Sequence, residues 1–399
     1  MKPVEIKPNI FWIGINDTST RLFEGLWPIE EEGISYNSYL IKDHKNVLID
    51  LCKDIFQDEY LHDLKSLIDP STIDYLVVNH MEPDHSGAMQ AFRKIAPQAT
   101  ILAANKAIKM IDDFLNITEN IQSVGDGDRI SLGDKELLFI TAPMVHWPET
   151  MMTYETSTQS LFSCDAFGGY GKLTEGIFDD DYEDISTFEK ESLRYFSNIV
   201  AAFSKPVLNA AGKLAQIPIK TIAPSHGLVW RSSPERIINL YLKWSGFSKE
   251  KAERGVTLLH GSMYGNTRQM VPSIIEGLNK ADVPVAVHDI TNTHISYILS
   301  DLWINQGIII GAPTYEGSIF PTMAAVLQMA DYKRVHNRHA AYFGSYGWGG
   351  GAIRYLKAQC EQLKWELVDT LDFPGKPSSK DLVGAVDLGE RFGKLILAL

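Results

Sequence analysis

Downstream of residue 255 the apolar positions fall into five short runs, 256–259, 284–288, 307–311, 340–343 and 365–368. Between them, stretches 267–280, 321–332 and 352–363 place apolar residues three and four apart, and a last stretch of that kind closes the chain. Short apolar runs alternating with amphipathic helices predict parallel strands joined by helical crossovers. This half therefore reads as α/β, a doubly wound five-stranded parallel sheet. Upstream the pattern changes. The opening third is rich in strands (10–13, 38–41, 46–49), and later strands are separated by helices. That predicts two mixed sheets covered by helices, an αββα sandwich. The polar stretch from Ser245 to Gly255 lies between the two patterns and predicts domains 1–250 and 251–399.

Composition narrows the class. Of 399 residues, 45% are hydrophobic and 22% charged, which excludes a disordered chain, and the net charge of −13 argues against nucleic acid or an anionic membrane as the main partner. Cys52, Cys164 and Cys360 are too few for a disulfide framework, and no C-x-x-C is present for a zinc ribbon, a rubredoxin knuckle or an iron–sulfur run. Lys2, Pro3, Glu5 and Lys7 stand where a signal peptide needs an apolar core, and no apolar stretch is long enough to span a bilayer. The expected location is cytoplasmic.

Candidate chemistry concentrates at the ends of apolar runs. The run 75–79 leads into His80-Met81-Glu82-Pro83-Asp84-His85, and Ser86-Gly87 then opens a helical segment with a capping residue. His146 follows the run 137–141, Asp165 follows 161–164, and His226 follows 221–225. Any one of these at a strand end is ordinarily a cap or a surface residue. Together, four histidines and three carboxylates exceed what a single ion uses and suit two ions with one bridging carboxylate.

A second group follows the first strand of the downstream half. Ser262, Met263, Tyr264, Gly265, Asn266 and Thr267 precede a helix, so hydroxyls and backbone N–H groups form an anion cradle. It lacks the lysine of a Walker A loop and is not a G-x-G-x-x-G fingerprint. Two later strand ends, Pro313-Thr314-Tyr315 and Ser345-Tyr346-Gly347-Trp348-Gly349, add aromatics that suit a flat ring.

The first group resembles the metallo-β-lactamase superfamily, with Glu82 in place of the second histidine of its usual motif, and the second resembles the FMN loops of flavodoxins. A redox-inert zinc hydrolase has no use for a flavin, and the added carboxylate favours iron. The whole chain resembles the flavodiiron proteins, or A-type flavoproteins. The resemblance implies an N-terminal metallo-β-lactamase-like αββα diiron domain, then a flavodoxin-like FMN domain. It implies one iron held by His80, Glu82 and His146, a second by Asp84, His85 and His226, and Asp165 bridging. It also implies reduction of O2 to water, of NO to N2O, or of both. Electrons come from a carrier such as rubredoxin or a reduced deazaflavin, in a head-to-tail homodimer or a tetramer of such dimers. Trp147 and Trp348 are candidates for walls between the cofactors, with plain packing the commoner role. Many relatives carry a histidine where this chain has Glu24, so Glu24 is expected to tune the pocket. Two other classes stay open: a zinc-dependent hydrolase with a redox-sensing flavodoxin domain, and a flavodoxin-type carrier on a decayed metal site. Glu82 weighs against the first, and the complete ligand set against the second.

Overall fold

The stretch Ile34–Ile41 reads Ile-Ser-Tyr-Asn-Ser-Tyr-Leu-Ile, and all eight residues are buried. Its polar side chains therefore need internal partners. Asn37 accepts the indole N–H of Trp12 at 2.9 Å and donates to the carbonyls of Pro224 and Gly227 at 2.9 and 3.0 Å. Ser38 donates to the Asp50 carbonyl at 2.8 Å, and Tyr39 to that of Pro224 at 2.7 Å. These bonds tie two sheets together at one end, close to several of the candidate ligands.

This computed structural model describes residues 2–399, which form two compact units, one running to Ser245 and the other Gly246–Leu399. The first holds a seven-stranded sheet in the order Val4–Lys7, Ile10–Asp17, Ile34–Ile41, Asn46–Ile49, Ile73–Val78, Thr100–Ala104 and Ile121–Val124. Its early pairings are antiparallel and its later ones parallel. A five-stranded sheet follows, Arg129–Ser131, Glu136–Thr141, Met151–Glu155, Ser160–Cys164 and Thr221–Pro224, with only the last pair parallel. Both sheets are mixed, as the upstream pattern predicts.

The second unit is a five-stranded sheet in the order Val285–Asp289, Glu253–His260, Asn305–Gly311, His339–Tyr346 and Glu366–Pro374, parallel throughout. Val256, Leu258, Ile309, Ala341 and Phe343 bury one face against the helices Val271–Lys280 and Ser379–Ala398. Those helices cross at glycines. A Cβ on Gly277 would lie 2.1 Å from the Val386 carbonyl oxygen, and one on Gly389 2.3 Å from that of Ile274. Among the described residues no helix is long and apolar enough to cross a membrane, and the three cysteines are free and buried.

Two local expectations are corrected. The ligand-bearing turn becomes helical at Pro83, and the segment Pro83–Ser86 ends at Gly87 instead of starting at Ser86. Proline at the first helical position needs no N–H partner and sets φ for the helix. The Ser86 hydroxyl donates back to the carbonyls of Met81 and Glu82 at 2.9 and 3.1 Å, so it caps nothing ahead of it. Downstream, the stretch 267–280 divides into a 3-10 turn, Arg268–Met270, and the α-helix Val271–Lys280, with Pro272 in its first turn.

Candidate functional site

Strand ends deliver the seven candidate ligands to one buried cluster. His80 stands two residues beyond Ile73–Val78, Asp165 directly follows Ser160–Cys164, and His226 follows Thr221–Pro224 by two. Asp84 and His85 ride on the Pro83–Ser86 turn, and His146 sits on the connection after Glu136–Thr141. Their donor atoms form two sets that could each hold an ion: His80, Glu82, His146 and Asp165, and Asp84, His85 and His226. Asp165 faces both. Its Oδ2 lies 3.5 Å from His80 Nε2 and 3.2 Å from His146 Nε2, and its Oδ1 lies 3.0 Å from His85 Nε2 and 3.5 Å from His226 Nε2. Glu82 Oε2 is 2.9 Å from His146 Nε2, and Asp84 Oδ2 is 3.2 Å from His226 Nε2.

The fit to cations rests on the unsatisfied atoms. Both carboxylate oxygens of Asp84 and of Asp165, both ring nitrogens of His85, and Nε2 of His226 are buried without a hydrogen-bond partner. Acceptors and lone pairs turned toward one space away from water are costly unless cations occupy it. Protons meet part of that need in the metal-free protein. Burial opposes charging of His80, yet hydrogen bonds to Glu149 and Glu82 prevail and push it up to about 10. Burial likewise opposes charging of His146 and His85, which Asp165 with Glu82, and Asp84 with Asp165, raise to about 10 and about 9. Burial pulls against ionisation of Glu82 and Asp165, but the same histidines hold both carboxyls well below the ordinary range.

The surroundings contain residues that the sequence reading missed. Glu149, fully internal, lies 2.7 Å from His80 Nδ1 and accepts the Met81 N–H at 3.0 Å. His226 Nδ1 lies 2.7 Å from the Ser35 carbonyl oxygen. Asp50 accepts the Asn79 N–H at 2.8 Å, and burial raises its carboxyl to about 6. Phe23, Tyr36 and Tyr195 set their rings 5.6, 5.8 and 5.4 Å from that of His226. The one signal available in the sequence was Glu149 beside His146, a buried-type carboxylate in an otherwise apolar stretch.

Glu24 lies between Leu22–Phe23 and Trp27–Pro28, two short paired strands, with φ of 51°. The residue is at the surface, while its carboxyl accepts the Trp27 indole N–H at 3.0 Å and turns toward Glu82. Burial of that carboxyl and the charge of Glu82 raise it to about 7. Trp147 sets its ring edge-on to His80 at 5.1 Å and to Phe114 at 6.5 Å.

The second unit carries a cavity of about 550 Å³ at the ends of its strands, lined by three loops. Ser262, Met263, Tyr264 and Asn266 come from the first, Pro313, Thr314, Tyr315, Glu316 and Gly317 from the second, and Ser345, Tyr346, Gly347, Trp348, Gly349 and Gly350 from the third, with Gly375 beside them. Gly265 and Thr267 are not in this wall. Gly265, at φ +88°, makes the turn and donates its N–H to Ser262 Oγ at 3.0 Å. Thr267 is fully buried with its hydroxyl 3.0 Å from that of Ser345, so it joins two loops from beneath. Glu316, Gly317 and Gly375 line the cavity without having been expected there. Trp348 is 100% exposed and Tyr264 90% exposed, so plain packing does not account for either ring.

Comparison with known proteins divides the chain in the same way. Residues 34–227 match the family described as ODP family beta lactamase, and residues 258–389 match flavodoxin. The chain is 35% identical to the anaerobic nitric oxide reductase flavorubredoxin of Enterobacter sp. (strain 638), over 98% of this chain and 80% of the relative. It is also 35% identical to the protein of that name from Salmonella typhi, over 98% and 81%. Rubredoxin oxygen:oxidoreductase from Desulfovibrio gigas superposes with a TM-score of 0.94 at 26% identity, covering 100% of this chain and 99% of that one. The flavodiiron protein of Giardia intestinalis gives 0.94 at 27%, over 100% and 97%. A variant of the Thermotoga maritima flavodiiron protein gives 0.88 at 31%, over 98% and 97%.

Proposed function

The chain belongs to the flavodiiron protein family, and on that footing we propose that it is an oxidoreductase that reduces NO to N2O, O2 to water, or both. The proposed cofactors are two irons in residues 1–250 and one FMN in residues 251–399. The observation that carries the reading is Asp165, whose two oxygens face two ligand sets and, like those of Asp84, are buried without a hydrogen-bond partner. His80, Glu82 and His146 would hold one iron, Asp84, His85 and His226 the other, and Asp165 both. Glu82 supplies a hard carboxylate that shifts the preference from zinc toward iron.

When bound, the iron pair and reduced FMN supply together the four electrons that turn O2 into two waters, or the two that couple two NO into N2O. The protein's own part is to position, to keep water out and to deliver protons. Phe23, Tyr36 and Tyr195 wall His226 with rings. Glu24, with a carboxyl held near neutrality, is placed to give up a proton beside Glu82. Ser262, the turn at Gly265 and the N–H groups behind it suit the FMN phosphate, and Tyr315 and Trp348 suit its ring.

Family membership supports a rubredoxin-type donor, with a reduced deazaflavin as the alternative, and a head-to-tail homodimer in which the flavin of one copy serves the irons of the other. The test is metal and flavin content on one preparation, followed by anaerobic reduction and separate exposure to O2 and NO. Near two irons and one FMN per chain, with rapid reoxidation by at least one gas, is the expected result. Zinc in place of iron, with flavin that reoxidises slowly, would overturn it in favour of a hydrolase.

A further inference from the structure

The two ligand sets differ in what stands behind their histidines. Behind His80, Nδ1 is 2.7 Å from the Glu149 carboxylate, a charged and fully internal acceptor. Behind His226, Nδ1 is 2.7 Å from the Ser35 carbonyl, a neutral acceptor. Behind His85, whose Nε2 faces Asp165 and Asp84 at 3.0 and 3.3 Å, Nδ1 is buried without a hydrogen-bond partner. Glu149 is itself short of partners, since Oε1 meets His80 and the Met81 N–H while Oε2 is buried with none.

We infer that Glu149 makes the two metal positions unequal, so that the position built on His80, Glu82 and His146 holds its ion more tightly than the one built on Asp84, His85 and His226. The inference rests on the diiron reading above. Both Glu149 and Ser35 select the tautomer with hydrogen on Nδ1 and leave the Nε2 lone pair facing the cluster. Only Glu149 adds charge. A carboxylate accepting that hydrogen pushes electron density into the ring and strengthens Nε2 as a donor, which a carbonyl does far less. The ion in turn relieves a buried anion that has only two N–H groups facing it. Asp50 does not offset this from the other side, because it binds the Asn79 N–H and leaves His85 without a hydrogen bond. Glu149 is thus a positioning residue that acts through His80.

The experiment titrates the metal-free, full-length protein anaerobically with Fe²⁺, and separately with Co²⁺ as a spectroscopic probe, against a competing chelator. Two stepwise dissociation constants are expected for the natural protein, with His226→Ala keeping the tighter. Glu149→Gln, which retains an oxygen for the His80 N–H but loses the charge, is expected to weaken the tight step about 10–100-fold. It should also alter the Co²⁺ spectrum of that step and leave the weak step unchanged. If Glu149→Gln does not fold, Glu149→Asp decides, with a smaller weakening of the tight step expected. An unchanged tight step, or equal weakening of both, would overturn the inference while leaving the diiron reading in place. A natural protein that takes up neither ion would remove that reading itself.

Discussion

Asp165 Oδ1 lies 3.0 Å from Nε2 of His85, and the other oxygen of the same carboxylate faces His80 and His146 across the cluster. One side chain therefore faces both proposed metal positions. Asp165→Asn keeps the size of the residue and removes the charge that the two positions share. Iron content is expected to fall from near two per chain toward zero, without stopping at one, while FMN content stays unchanged. Metal and flavin analysis of the purified variant checks this. Retention of one full iron would show that Asp165 serves a single position.

The metal-free protein is expected to lose stability as pH rises from about 6.5 to about 10. His80 and His146 near 10 and His85 near 9 in the folded state lie above their ordinary 6.5, so the folded protein binds more protons than the unfolded chain across that window. Their contribution is fully present below 6.5 and is gone once pH passes the folded values. Glu82 and Asp165 act on the acid side: their contribution is present above their ordinary 4.5 and 3.8 and is lost at lower pH. Thermal melting against pH with and without Fe²⁺ is the measurement. The ion replaces the protons, so loading should release protons, and the stability it restores should grow as pH rises through this window toward 10. A pH-independent metal effect would contradict the assignment of these three histidines.

Glu24→Gln is expected to change the rates with O2 and NO, and to lower at least one about 10-fold or more if the carboxyl delivers a proton. Burial and the charge of Glu82 raise this carboxyl in the metal-free protein, so it keeps its proton to higher pH than an ordinary carboxyl and its contribution fades as pH rises. The rate profile of the natural protein should carry an acid–base inflection that the variant lacks. Unchanged rates with both gases would remove the role. The left-handed φ of 51° at this position fits a side chain held in place at a backbone cost.

Trp348→Ala is expected to weaken FMN binding about 2–10-fold, the value of one aromatic stacking contact of roughly 0.5–1.5 kcal/mol. The ring is fully exposed, so its loss opens no cavity and should leave the melting temperature of the flavin-free protein unchanged. Flavin fluorescence titration gives the affinity. A large loss of stability would mean that the ring packs in some other state of the molecule.

Much of the chemistry was written locally. His80 through His85 could be read as ligands because four of the right residue types stand within one turn after an apolar run. Ser262 through Thr267 could be read as an anion loop for the same reason. Even there, a single proline moved the start of the helix, and Thr267 proved to brace the loop from below while Glu316 and Gly375 came into the wall.

The sequence by itself determined the two fold patterns and the seven candidate ligands, because apolar period and residue chemistry act over a few neighbouring positions. Tertiary structure alone decided that Asp165 faces both sets, that Glu149 and Ser35 stand behind different histidines, and that the Glu24 carboxyl lies beside Glu82. His80 meets Glu149 across 69 residues and His226 meets Ser35 across 191. No local preference encodes such a pair; the second exists because Ile34–Ile41, which carries Ser35, is bonded through Asn37 and Tyr39 to the end of the strand Thr221–Pro224 that leads to His226.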